Sequence, residues 1–230
     1  MGIFITFEGI EGCGKTTQIG MLKEYLESKN YPVLMTREPG GTGLGESIRA
    51  ILLNSSSEII APLAEIFLYE ACRAQIIEDV IKPALKNNKI VLCDRFADST
   101  TAYQGYGKGL GLDTVKEINK LAAGAAIPDL TFIIDCEVDA GLKRAWARIH
   151  SAKTKNKEDR FEKEDIEFHK RVRDGYLKIA AAEPERIKLI NGTHDIDTIH
   201  KEICKIVEKR LEAMGYRLRR KQVTSLLPQK

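Results

Sequence analysis

Five short β-rich runs predict strands: Ile3–Phe7, Pro32–Met35, Ile90–Cys93, Leu130–Ile134 and Ile187–Ile190. Ile90–Cys93 and Leu130–Ile134 are bounded apolar runs without alternation, as expected for strands buried on both faces. Between the runs, apolar residues recur at helical spacing. Ile19, Leu22 and Leu26 share one face of a helix predicted over 16–28. Further helices are predicted over 63–85, 139–149, 164–182 (stopping before Pro184) and 196–214. The alternation predicts an α/β fold, a five-stranded parallel sheet with helices on both faces. Ligands of such sheets sit beyond the carboxyl ends of the strands, which here means from Glu8, Thr36, Asp94 and Asp135 onward. With no repeat and no linker before 215, residues 1–214 read as one domain and 215–230 as a flexible basic tail.

The first strand runs into Gly9-Ile10-Glu11-Gly12-Cys13-Gly14-Lys15-Thr16, which matches G-x-x-x-x-G-K-[ST] and opens the first helix, with Thr17 next. This is the expected context of a P-loop. The glycines let backbone N–H groups turn around phosphate oxygens, and the helix start adds positive potential. Lys15 can reach the β- and γ-phosphates, and the Thr16 hydroxyl can ligate Mg²⁺. The chain is thus expected to bind a nucleoside triphosphate. Asn119-Lys120-Leu121-Ala122 lacks the Asp of a GTPase base reader and falls within a helix. The third strand ends in Asp94-Arg95, which puts a cation where a second phosphorylated substrate can be held and favours a small-molecule kinase.

Composition and charge narrow the picture. The chain has 230 residues, 43% hydrophobic and 30% charged, as in an ordinary globular protein. The net charge of +3 arises in the tail. Arg217, Arg219, Arg220, Lys221 and Lys230 stand there without an acid, and the rest carries 31 basic against 33 acidic residues. Basic residues are therefore not spread over a folded face, so no nucleic-acid partner is expected. Five cysteines with no C-x-x-C fit reduced thiols, and no leader or spanning segment is read, so a cytoplasmic protein without a membrane partner is expected. Lys143, Arg144, Arg148, Lys153, Lys155 and Lys157 form an acid-free run leading to Asp159-Arg160-Phe161. It reads as a mobile basic lid over about 149–162, since phosphoryl transfer requires a closing segment that excludes water. The Gly105–Gly111 run, with no strand before it, reads as a flexible loop rather than a dinucleotide fingerprint.

Phe7-Glu8-Gly9 with the P-loop, Arg37-Glu38-Pro39-Gly40-Gly41-Thr42, Asp94-Arg95-Phe96, Ala102-Tyr103-Gln104-Gly105 and Pro128-Asp129-Leu130-Thr131 together resemble the thymidylate kinase family, over about residues 3–212. The resemblance implies phosphoryl transfer from ATP to dTMP with Mg²⁺, and a homodimer. It implies that Arg95 and Arg37 grip the acceptor phosphate and that Glu38-Pro39 anchors the loop around it. By the same resemblance Glu11 holds the 3′-hydroxyl, Tyr69 stacks on thymine, Arg73 bonds a thymine carbonyl, and Gln104 pairs with the base edge by donating and accepting. Tyr103 is expected to crowd the 2′ position, with Ser99 and Thr100 in the same pocket. Some members carry an arginine in the P-loop. Ile10, Glu11, Gly12 and Cys13 hold none here, so the lid is expected to supply it, with Arg148 the best match, Arg144 its helper and Arg160 closing over a phosphate. Asp94 is assigned to Mg²⁺ through water or to orienting Arg95. Two alternatives stay open: a kinase of another nucleoside monophosphate or a deoxynucleoside, and a nucleotide switch without small-molecule chemistry.

Overall fold

The computed structural model describes residues 2–53, 59–151 and 159–216. The strands are β1 (Ile3–Glu8), β2 (Val33–Arg37), β3 (Ile90–Asp94), β4 (Leu130–Asp135) and β5 (Ile187–Asn191). All pair in parallel, in the order β2-β3-β1-β4-β5. The helices are α1 (Lys15–Ser28), α2 (Gly43–Leu53), α3 (Pro62–Ile76), α4 (Lys82–Lys86), α5 (Ala97–Thr100), α6 (Leu112–Ala123), α7 (Val138–Ser151), α8 (Ile166–Ala182) and α9 (Ile196–Ala213).

Successive strand residues face opposite sides, and the inner strands β1, β3 and β4 are buried along both, while the edge strands β2 and β5 are partly exposed. Ile3, Ile5 and Phe7 of β1 pack with Ile19, Leu22 and Leu26 of α1 and with α8 and α9. Phe4, Val91 and Cys93 face the other way, onto Ile76, Ile77, Ile81 and Phe96. The buried hydroxyls of Thr6 and Thr131 bond each other at 2.7 Å, so neither is left unpaired in the core. Asp165 and Asp195 cap α8 and α9, accepting from Phe168 N at 2.6 Å and Thr198 N at 2.9 Å. No helix among the described residues is long and apolar enough to cross a membrane.

Three expectations change. The helix over 63–85 is interrupted by a π-helical turn at Ile77–Ile81 before α4. Pro83 has no N–H to give the carbonyl four residues back, and the slipped register still buries Ile77 and Ile81. Helix α2 was not anticipated, because its glycine-rich start reads as loop. The Gly105–Gly111 run is not a flexible loop over its first half: Thr101–Gly107 is a π-helical stretch with both glycines buried. At Gly107 a Cβ would come within 2.7 Å of Phe168, so the glycine is what lets α8 dock there.

The parallel register sets the chemistry side by side. Phe7, Asp94 and Arg37 stand abreast at the carboxyl ends of β1, β3 and β2. The residues that follow converge on one cleft. Lys153, Lys155, Lys157 and most of the tail, including its five basic residues, lie outside the described residues.

Candidate active site

The loop after β1 wraps tightly before α1. Gly12 has φ +65°, and a Cβ there would meet the Gly141 carbonyl at 2.0 Å, so conformation and approach both demand glycine. Gly14 precedes α1 without any side-chain cap, which leaves the first N–H groups of the helix available to an anion. Gly9, Ile10 and Cys13 are buried beneath the loop, and Thr17 faces solvent. Lys15 donates to the carbonyls of Gly9 at 3.0 Å and Ile10 at 2.8 Å, so its side chain lies against its own loop. Thr16 donates to Asp94 Oδ2 at 3.0 Å, which brings a hydroxyl and a carboxylate together at the loop's mouth.

A cavity of about 620 Å³ opens beside the loop. Of the expected site residues, Glu11, Gly12, Lys15, Thr16, Arg37, Pro39, Tyr69, Arg73, Asp94, Arg95, Ser99, Thr100, Tyr103, Gln104 and Arg148 all line it. Arg95 is the centre of one wall. Its backbone sits at φ 71°, a left-handed conformation rare for a side chain of this size, and is held by a bond from its N–H to Phe7 O at 2.9 Å. Its guanidinium reaches Gly9 O at 3.0 Å and Ser99, Tyr176, Glu11 and Tyr103 at 3.2 Å each, 5.0 Å above the Tyr103 ring. Arg37, more exposed, pairs with Glu46 at 3.0 Å.

Glu11 is almost fully buried. Burial pushes its carboxyl up, but His169, Arg95 and Lys15 together outweigh it and hold it down at about 2. It stays ionised, facing the phosphate loop, with Tyr103 donating to the oxygen that Arg95 also binds. Glu8 accepts from Phe96 N at 2.7 Å, Ser99 at 2.5 Å and Tyr176 at 3.1 Å. Burial and the nearby Asp98 charge push its carboxyl up to about 7.

Arg73 departs from expectation. It is fully buried and donates to Glu38 twice, to Glu70, to Asn119 and to Thr100. A guanidinium has five N–H groups, so each already has a protein acceptor. A bond to a base carbonyl requires one of these contacts to open. Arg160 also departs: it donates to Leu52 O at 2.8 Å and pairs with Glu65, outside the cavity lining. Arg144 donates to Gly12 O at 3.3 Å, beneath the loop. Arg148 stands at the cavity's rim, 3.5 Å from Glu162.

Sequence reasoning missed Glu8, Glu65, Asn119, His169 and Tyr176. His169, wholly buried on α8, stands 3.5 Å from Glu11 Oε2. Asn119 accepts from Arg73 at 2.8 Å and donates to Ala97 O and Thr101 at 3.1 and 3.0 Å. The helical N-K pair dismissed as a false base reader thus contains a structural residue. No short-range pattern marks it.

A phosphate cradle at the end of the central strand, facing a second cation-lined cavity across Asp94, defines a phosphotransferase of the P-loop class. The thymidylate kinase family model matches residues 7–203. The chain is 51% identical to the thymidylate kinase of Citrifermentans bemidjiense over 94% of its own length and 95% of the relative's. It is equally identical to that of Geotalea daltonii, over 92% and 99%. The crystal structure of thymidylate kinase from Ehrlichia chaffeensis superposes with a TM-score of 0.71 at 39% identity, covering 90% of this chain and 98% of that one. The chain belongs to the thymidylate kinase family, and it transfers the γ-phosphoryl group of ATP to dTMP, giving dTDP and ADP for dTTP synthesis.

Proposed function

We propose that the two substrates meet head to head, ATP on the phosphate loop and dTMP in the adjoining cavity, with Arg95 between them. The observation that carries this reading is Arg95's place, bonded to the loop through Gly9 O and to the cavity wall through Tyr103. Lys15 leaves its loop carbonyls to meet the β- and γ-phosphates, and the uncapped start of α1 binds the same chain of phosphates. The bond from the γ-phosphorus to the bridging oxygen breaks as one forms to a dTMP phosphate oxygen. That oxygen is already largely ionised near neutral pH, so no general base is required. Catalysis is alignment and charge neutralisation.

Thr16 and Asp94 suit Mg²⁺, which takes hard oxygen ligands and often binds through water. When bound, the ion neutralises charge on the β- and γ-phosphates. Arg37 and Arg95 orient the acceptor phosphate, Glu11 accepts from the sugar hydroxyl, and Tyr69 and Gln104 meet the base. Burial, then the Glu65 charge, push the Tyr69 hydroxyl far above its usual range, so this ring meets the base as a neutral phenol. Arg148, helped by Arg144, serves the transferring phosphoryl group. The five free, buried cysteines suit a reducing, cytoplasmic setting.

The test is ADP release with dTMP, dUMP, UMP, CMP and thymidine offered separately. dTMP is expected to be fastest, dUMP slower and thymidine inert. Equal rates with UMP and dTMP would overturn the Tyr103 assignment, and thymidine turnover would favour a deoxynucleoside kinase.

We further infer a homodimer through α2 and α3, where Leu44, Ile51, Leu63 and Phe67 are each about half exposed. Phe67→Glu is expected to give a monomer by light scattering. A monomeric parent protein would end this reading.

A further inference from the structure

Glu65 lies on α3 one turn before Tyr69 and is completely buried. Its Oε1 accepts from Gln104 Nε2 at 2.8 Å. Its Oε2 takes Lys108 Nζ at 3.0 Å and a guanidinium N–H of Arg160. A carboxylate bound to two cations has only acceptors to offer. The group it meets on Gln104 is therefore the NH₂, and the Gln104 carbonyl is turned the other way. Gln104 lines the cavity, and among the described residues nothing donates to that carbonyl.

This matters because a primary amide read by its edge is ambiguous. Rotated by half a turn, it exchanges its acceptor and its donor. Pyrimidines differ in the complementary sense. Thymine presents an N3–H donor beside the O4 acceptor, and cytosine presents the N3 acceptor beside the 4-amino donor. One setting of the amide matches the first edge, and the opposite setting matches the second. An amide free to turn serves both.

We propose that Glu65 is a specificity-determining positioning residue: by holding the Gln104 NH₂ it fixes the amide in the setting that accepts a thymine-type edge and opposes a cytosine-type edge. The proposal rests on the reading of Gln104 as a base reader. Lys108 and Arg160 both engage Oε2 and leave Oε1 to the Gln104 NH₂. Glu65 itself does not touch the substrate.

Glu65→Gln tests this, since a glutamine there can either accept from or donate to Gln104 and so releases the setting. The kcat/KM ratio of dCMP to dTMP is expected to rise about tenfold or more. Damage that is merely structural lowers both substrates together and leaves the ratio where it was. Lys108→Met, which removes a cation but spares the Gln104 contact, is expected to leave the ratio unchanged. If Glu65→Gln does not fold, Glu65→Asp keeps the charge for both cations, shortens the reach to Gln104, and is expected to move the ratio the same way. An unmoved ratio in the folded Glu65 variant, with Gln104→Ala moving it, overturns the proposal and leaves the base-reader assignment standing. An unmoved ratio in Gln104→Ala removes that assignment and the proposal with it.

Discussion

Arg95→Ala is expected to lower kcat/KM for dTMP by about 10² to 10⁴, with the dTMP KM raised and the ATP KM nearly unchanged. The size follows from what the guanidinium does at once. Its planar fork can grip two oxygens of the acceptor phosphate, and charge-assisted bonds of that kind are roughly twice as strong as neutral ones. Its removal also takes a cation from Glu11, which keeps Lys15 nearby, the His169 contact at 3.5 Å and the Tyr103 hydroxyl. Arg95 is one of the groups that hold this carboxyl down, and without it the Glu11 charge is less compensated and repels the phosphate the site must bind. The backbone adds a smaller loss, since alanine at φ 71° retains the left-handed strain without the side-chain bonds that offset it. Arg95→Lys separates charge from geometry: it is expected to recover part of the KM effect and less of kcat. Steady-state kinetics with each substrate varied decides the matter. A dTMP KM and kcat within threefold of the parent would remove Arg95 from the acceptor site.

The sheet and the phosphate loop were legible because their signals are local. The inner strands β1, β3 and β4 are buried on both faces, so their runs need no partner to be recognised, and the loop's glycines and lysine lie within eight consecutive positions. The parts that were not legible depend on pairs far apart in sequence. Glu65 meets Gln104 across 39 positions, and Arg73 meets Asn119 across 46. A buried charge looks like any other charge until its partner is placed. Arg73 shows the consequence. The i, i+4 spacing put it on one face with Tyr69, and both line the cavity, but its engagement with two carboxylates, an amide and a hydroxyl could not be read from that face. The π-helical turn at Ile77–Ile81 is a similar case, since its apolar residues fit an unbroken helix equally well. For Arg160 the motif was recognised, but its direction is set by Glu65 and the Leu52 carbonyl, neither near it in the chain.

Arg148→Ala is expected to cut kcat by about 10³ or more while leaving the dTMP KM within about threefold. The P-loop carries no arginine of its own, so charge on the transferring phosphoryl group must be met from elsewhere. In the proposed arrangement Lys15 approaches from one side and Arg95 is given to the acceptor. Arg148 stands at the rim with its side chain 62% exposed, and its ion pair among the described residues is a 3.5 Å pairing to Glu162. Burial, then the Glu11 charge, push the Glu162 carboxyl up. A loosely held, uncommitted cation is what a transition-state contact requires, since it gains its partner only as charge develops. Arg144 differs. It is tied to Gly12 O at 3.3 Å, so Arg144→Ala is expected to loosen the loop and cost nearer tenfold, with the ATP KM raised as well. The two profiles distinguish a residue that meets the moving phosphoryl from one that supports its cradle. If Arg148→Ala keeps kcat within threefold, Arg148 is not the working cation, and the same kinetics on Arg144→Ala, Arg160→Ala and the lysines of the basic run would identify it.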